Sequence, residues 1–211
     1  MKEPYIEVLL EGASDVPVLR HMLAAHFRLE EGRHFRLHPH EGKGRLPVSP
    51  LSRPELHHRG LLDQLPAKLR GYRSWMSPDA LVLVVIDVDD QDCVQLLRRL
   101  LELREAIAPD LRVLFRLAIE ETESWFLADP MAVKAAFPRA KIKLFQGVAA
   151  DSVVGAWELL AQALGTGRSV AVDKYAWAEA IAPNLTFTPP RSPSLGKLVN
   201  GVKRYLAEMQ T

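Results

Sequence analysis

Four acidic residues, Asp87, Asp89, Asp90 and Asp92, crowd the positions that follow the apolar run Leu81-Val82-Leu83-Val84-Val85-Ile86. Clustered carboxylates repel one another and stay ionised together only when a positive charge joins them, so the pattern points to a bound cation. Donors that are all oxygen select a hard ion such as Mg²⁺ or Mn²⁺ over zinc. The simpler reading is a helix cap, because Asp is favoured at the N-cap and Cys93, Val94, Leu96, Leu97, Leu100, Leu101 and Leu103 follow with helical spacing. A cap uses one Asp and leaves the others unexplained.

The elements that would position these groups are legible around them. The apolar run is too short to span a membrane, is rich in β-branched side chains and follows Pro78-Asp79, which predicts a strand buried on both faces. In open α/β sheets ligands sit beyond the carboxyl ends of parallel strands. Asp87 and Asp89 fall there, and strand alternation sends both to one side. Tyr5 to Leu10 reads as a first strand, followed by the turn Glu11-Gly12-Ala13-Ser14-Asp15. Asp15 then caps a helix with Pro17 in its first turn and Val18, Leu19, Met22, Leu23 and Phe27 as its buried stripe. If the two strands are parallel neighbours, Glu11, Asp87 and Asp89 converge. A further strand over Leu111 to Leu117 runs into Glu120, Glu121 and Glu123. A helix start also accommodates Glu there, and a one-residue change of register decides which of the three faces a cation, so that choice stays open.

Phe35 to Leu37 predicts a short second strand, and Leu61, Leu62, Leu65, Leu69 and Tyr72 predict the helix before the central strand. Strands alternating with helices argue for a parallel sheet. Beyond Pro138 the pattern becomes helical, with stripes over Val153 to Leu164, Tyr175 to Ile181 and Leu195 to Leu206. The expected fold is α/β: a small Rossmann-like parallel sheet flanked by helices over residues 1–138, with a helical C-terminal region over 139–211 packed on it as one structural domain. With 211 residues and 48% hydrophobic content the chain can bury a core of its own. Its single cysteine, Cys93, excludes an internal disulfide and is expected to be a packed core thiol. No apolar signal region or membrane span is expected, and the expected location is the cytoplasm.

A net charge of +1 makes no overall case for nucleic acid, but the distribution is uneven. Between residues 33 and 73, Arg33, Arg36, Lys43, Arg45, Arg53, Arg59, Lys68, Arg70 and Arg73 face only Glu41, Glu55 and Asp63. From Asp79 to Asp129 carboxylates prevail. A basic flank beside an acidic pocket suits a phosphate-bearing substrate, although a solvated basic face is the default for such a run. Lys43, between Gly42 and Gly44, is a cation that can meet a phosphate, with Arg45 next to it; the loop lacks the residues of a Walker motif. His38, His40, His57 and His58 have neither a Cys partner nor helical spacing and make a poor zinc set.

With Glu11-Gly12 after the first strand and Asp87-Val88-Asp89 after a later one, the chain resembles a TOPRIM domain, the metal-binding module of topoisomerases, primases and OLD-type nucleases. Asp15, four residues after Glu11, looks like the second acid of the OLD-type variant. A closer resemblance, covering nearly the whole chain, is to an uncharacterised bacterial TOPRIM-like family. Its Gly-Lys-Gly-like loop is similar to Gly42-Lys43-Gly44, its Glu-x-Glu-x-Trp segment to Glu121, Glu123 and Trp125 ending in Asp129, and its carboxy-terminal Lys to Lys174. The His- and Pro-rich stretch from Pro47 to His58 departs from that pattern. The resemblance implies that Glu11, Asp87, Asp89, Lys43 and Lys174 are catalytic and that Glu11, Asp15, Asp87, Asp89, Glu121 and Glu123 ligate Mg²⁺ or Mn²⁺.

The expected function is a metal-dependent phosphodiesterase that cleaves nucleic acid with two ions roughly 4 Å apart, its substrate held by Lys43 and Arg45. OLD-type nucleases carry an ATPase in the same chain, so an energy-dependent partner would here be separate. The alternative is a non-catalytic, metal-binding partner subunit of an ATPase or nucleic-acid complex. A glycosyltransferase metal site would use Asp87 and Asp89, but gives Glu11-Gly12 and the Glu121 segment no role.

Overall fold

Four parallel strands, β1 (Ile6–Leu10), β2 (Phe35–Pro39), β3 (Leu81–Asp87) and β4 (Arg112–Ala118), make one sheet in the order β2-β1-β3-β4. The computed structural model describes residues 2–51, 57–88, 92–119, 121–152, 155–166 and 174–210. Asp89, Asp90, Glu120, Val153 and Val154 therefore lie outside the described residues. The fold is α/β with an all-parallel, Rossmann-like sheet flanked by helices, as the alternation of strand and helix patterns predicts.

Strand alternation sorts the apolar residues onto two faces. Leu9, Val82, Val84 and Ile86 pack under α2 (Leu61–Trp75) and α3 (Cys93–Ile107). Ile6, Val8, Leu10, Leu81, Leu83 and Val85 meet α1 (Val16–His21), which continues into a π turn over Met22–His26. The same core takes in α4 (Ser124–Leu127), α5 (Pro130–Ala136), α6 (Ala156–Leu164), α7 (Lys174–Ile181) and α8 (Pro193–Gln210). It is continuous from β1 to α8, so residues after Pro138 share a core with the strands. Helical structure starts earlier than the apolar stripes indicate, at Ser124, because Trp125-Phe126-Leu127 is buried as a single turn directly after the third acidic segment. Gly201 lets α8 cross β4 closely: a Cβ there would lie 2.5 Å from Arg116 Nη2 and 2.8 Å from Leu114 Cδ2. Cys93 opens α3 and is half-buried, not a fully packed core thiol, because the first turn of α3 is largely exposed, Val94 and Gln95 included. Among the described residues no helix is long and apolar enough to cross a membrane.

A buried charge on β1 escapes the apolar reading of that strand. Glu7 is 1% exposed, accepts a 2.7 Å hydrogen bond from the Tyr5 hydroxyl and pairs with His38 Nε2. Burial pushes its carboxyl up, but the hydrogen bonds from His38 and Tyr5 and the charges of His38 and Arg36 outweigh burial and hold it below its ordinary value. A folded carboxyl held low adds stability that is present above the unfolded pKa and lost as pH falls through the folded one. Glu7→Gln should therefore cost about 1–3 kcal/mol at neutral pH, with the deficit shrinking as the wild type is acidified below about pH 4. Urea titrations of both proteins across that range measure it, and a deficit that does not change with pH would refute an ionised Glu7 carboxylate.

Candidate functional site

Asp87 ends β3, and Glu11 lies one residue past β1, which pairs with β3 in parallel register up to Leu10 and Val85. The neighbouring carboxyl ends bring the two acids together: Glu11 Oε2 accepts the Asp87 backbone N–H at 3.3 Å. Asp15 closes the 3₁₀ turn Ala13–Asp15 before α1 and is buried, accepting from Gly12 N at 3.1 Å and from Thr122 Oγ1 at 2.8 Å. That second bond ties the turn after β1 to the segment after β4. Glu121 and Glu123 enter from this segment and face Lys174, the first residue of α7, whose Nζ stands 3.6 Å from Glu121 Oε1 and 3.2 Å from Glu123 Oε1. Glu121 also accepts the Trp157 backbone N–H at 3.1 Å, closing the N-terminus of α6, and Lys174 Nζ lies 5.3 Å from the Trp157 ring centroid.

The electrostatics follow from the crowding. Burial raises the Asp87 carboxyl well above its ordinary value, and the charges of Asp15, Glu11, Glu123 and Glu121 push it further. Burial also raises Asp15, against the bonds from Thr122 and Gly12 and the charge of Lys174. Glu121 is raised by burial, with Lys174 opposing. Burial disfavours the charge on Lys174, yet Glu123, Glu121 and Asp87 hold its ammonium above its ordinary value. Among the described residues Lys174 is the cation that Glu121 and Glu123 face, and Asp87 is the carboxyl most strongly raised by its neighbours.

A second cation approaches from the basic flank. Gly42, at φ 89°, donates its N–H to Glu11 O at 3.0 Å, and Lys43 Nζ donates to Val88 O at 2.9 Å. The Gly42-Lys43-Gly44 loop therefore closes over the ends of β1 and β3, and Gly44 packs against Gly60 and Asp63 with no room for a side chain. Arg45 stands exposed on the rim, its backbone N–H bound to Asp63 Oδ1 at 3.1 Å.

Other sequence candidates take structural places. Asp92 is the N-cap of α3, accepting from Val94 N at 2.8 Å and Gln95 N at 3.0 Å, so the cap reading holds for this one member of the acidic run. Asp129 caps α5 and accepts from Thr186 N at 3.0 Å. His38 is taken by Glu7, His40 Nδ1 faces Leu10 O at 2.8 Å, and His57 and His58 are exposed. Among the described residues no three His, Cys, Asp or Glu side chains are arranged as a set that could hold a metal ion. The physical reason is visible in the bonds: Asp15, Glu121 and Glu123 direct oxygens at Thr122, Gly12, Trp157 and Lys174. Thr122 and Trp157 are parts of the cluster that carry no sequence signal, because their partners lie far along the chain. The chain matches no protein-family model, no curated protein and no solved structure.

Proposed function

We propose that the chain is a TOPRIM-type phosphodiesterase that cleaves nucleic acid with the help of Mg²⁺ or Mn²⁺. The observation that carries this reading is Asp87, a carboxyl at the end of a central parallel strand among four others, all oxygen donors, whose charges raise it well above its ordinary value. Glu11 and Asp87 would hold the ion, with Asp89 of the same Asp-x-Asp pattern as a further ligand, and Asp15, Glu121 and Glu123 would join once their internal partners are displaced. The cation supplies an activated water and charge stabilisation at phosphorus. Lys43, anchored on Val88 O, would bring an ammonium to the developing phosphoryl charge. Lys174 would hold Glu121 and Glu123 in place, and Arg45 would contact the backbone without reading sequence. A separate ATPase partner remains part of this reading.

A second reading is favoured by the satisfied state of the cluster. Because Lys174, Thr122 and the Trp157 N–H already occupy carboxylate oxygens, the group can serve as a structural hub in a non-catalytic partner subunit. One experiment separates the two: plasmid nicking and single-strand cleavage in Mn²⁺ by the wild type and by Asp87→Ala. The phosphodiesterase reading requires cleavage that falls at least about a thousandfold in the variant, in the range seen when a group central to transition-state stabilisation is removed. Full activity in the variant would sink the assignment. Inertness of the wild type toward DNA and RNA would leave the partner-subunit reading.

A further inference from the structure

At the far end of α1 from the acidic cluster, a cleft of about 760 Å³ opens between the π turn Met22–His26 and the later turns of α8. That volume lies in the range of small-molecule sites. We infer that it binds a nucleoside phosphate, with the base against the rings of His26, Phe27 and Phe187 and the phosphate between Arg28 and Lys203. The rings pack as one cluster, the exposed His26 edge-on to Phe27 with centroids 4.8 Å apart and tilted against the buried Phe187 at 5.5 Å, so His26 offers the ring face that a ligand meets first. Planar heteroaromatic groups stack on such surfaces whatever their sequence. Asn200 adds an amide to the same lining, where it can meet a base edge or sugar hydroxyl.

The charge of the rim decides the rest. Arg28, at φ 58°, ends the α1 segment, and Lys203 comes from α8; both are exposed, and neither side chain makes an ion pair or hydrogen bond with any described residue. Nearby cations are balanced differently, Arg20 by Glu31, Arg33 by Glu3 and Arg112 by Glu208. Among the described residues no Asp or Glu lines the cleft. An apolar, aromatic wall beside two unbalanced cations is complementary to an anion carrying a flat ring. His26 lies eleven positions after Asp15, beyond α1 at the end of its π turn, so binding here does not depend on the carboxylates or on the phosphodiesterase reading. The carboxylates themselves would repel a phosphate in the absence of a cation.

Calorimetric titration of the full chain, with divalent ions chelated, tests the site with adenosine monophosphate, adenosine, inorganic phosphate and a 5′-phosphorylated single-stranded oligonucleotide. The expected result is one site for the monophosphate, with adenosine and phosphate each at least about tenfold weaker, because each lacks half of the recognition. Arg28→Gln/Lys203→Gln and His26→Ala, all at exposed positions, should each weaken it about tenfold without altering the fold or the Mn²⁺-dependent thermal shift. Binding of the oligonucleotide alone, with the same dependence on these variants, assigns the nucleoside phosphate to a strand end. Equal binding of inorganic phosphate, indifference to the variants, or no binding of either nucleotide form overturns the inference.

Discussion

Asp87→Asn will make the metal-free protein more stable and leave it unable to respond to Mn²⁺. The folded carboxyl is raised by burial and by four neighbouring carboxylates. A carboxyl whose folded pKa exceeds the unfolded one binds more protons in the folded state, so stability falls as pH rises from the ordinary carboxylate range toward the folded value. Asn removes that penalty and keeps the shape. At neutral pH the variant should gain at least about 1 kcal/mol, and the gain should shrink as pH falls toward the ordinary Asp range and vanish below about pH 3, where the carboxyl is protonated in the unfolded state as well as the folded one. With Mn²⁺ the order reverses. A ligand at about a hundred times its Kd stabilises the folded state by about 2.7 kcal/mol, which for a chain of this size raises Tm by roughly 5–10 °C. That rise should appear in the wild type and be absent in the variant. Equal Mn²⁺ shifts in both would remove Asp87 from the ligand set, and a less stable variant would mean that its carboxylate is held ionised by an internal partner.

Trp125→Ala should be the most destabilising substitution near the site. Trp125 is 1% exposed, and its indole Nε1 donates to Ser194 Oγ at 2.8 Å. Ser194 Oγ in turn donates to Asp151 Oδ1 at 2.9 Å, and Asp151 also accepts from Ser194 N at 2.7 Å and Ser192 Oγ at 2.8 Å. This chain joins α4, immediately after Glu123, to the first turn of α8. Truncation to Ala leaves a cavity and removes the donor to a buried hydroxyl, costing about 3–5 kcal/mol. Trp125→Phe keeps most of the volume and loses the N–H, costing about 1–3 kcal/mol. Denaturant titration of the two variants separates packing from hydrogen bonding. An Ala variant within about 1 kcal/mol of wild type would show that the site can collapse around the loss.

Local chemistry made much of this protein readable. The unbroken apolar run of β3 requires cover on both faces, and the structure buries Leu81 to Ile86 completely or nearly so. The convergence of Glu11 and Asp87 was legible because parallel neighbours end on the same side of a sheet, and β1 pairs β3 directly. The helices from Leu61, Cys93 and Leu195 were legible from their spacing. Two places resisted. In β1 the apolar residues hid Glu7, whose burial depends on His38 from the next strand and on Tyr5 beside it. Among the acids, residue type did not separate Asp92 and Asp129, which cap helices, from Asp87, which caps none.

The buried faces and the carboxyl end of the sheet where the acids collect follow from the sequence alone, because side-chain periodicity and the alternation of strands with helices are local properties. How those acids are satisfied depends on the packing of distant segments. Lys174 on Glu121 and Glu123, Thr122 on Asp15 and Lys43 on Val88 O join residues distant in the chain, and each depends on which helix the core packs against the sheet's end.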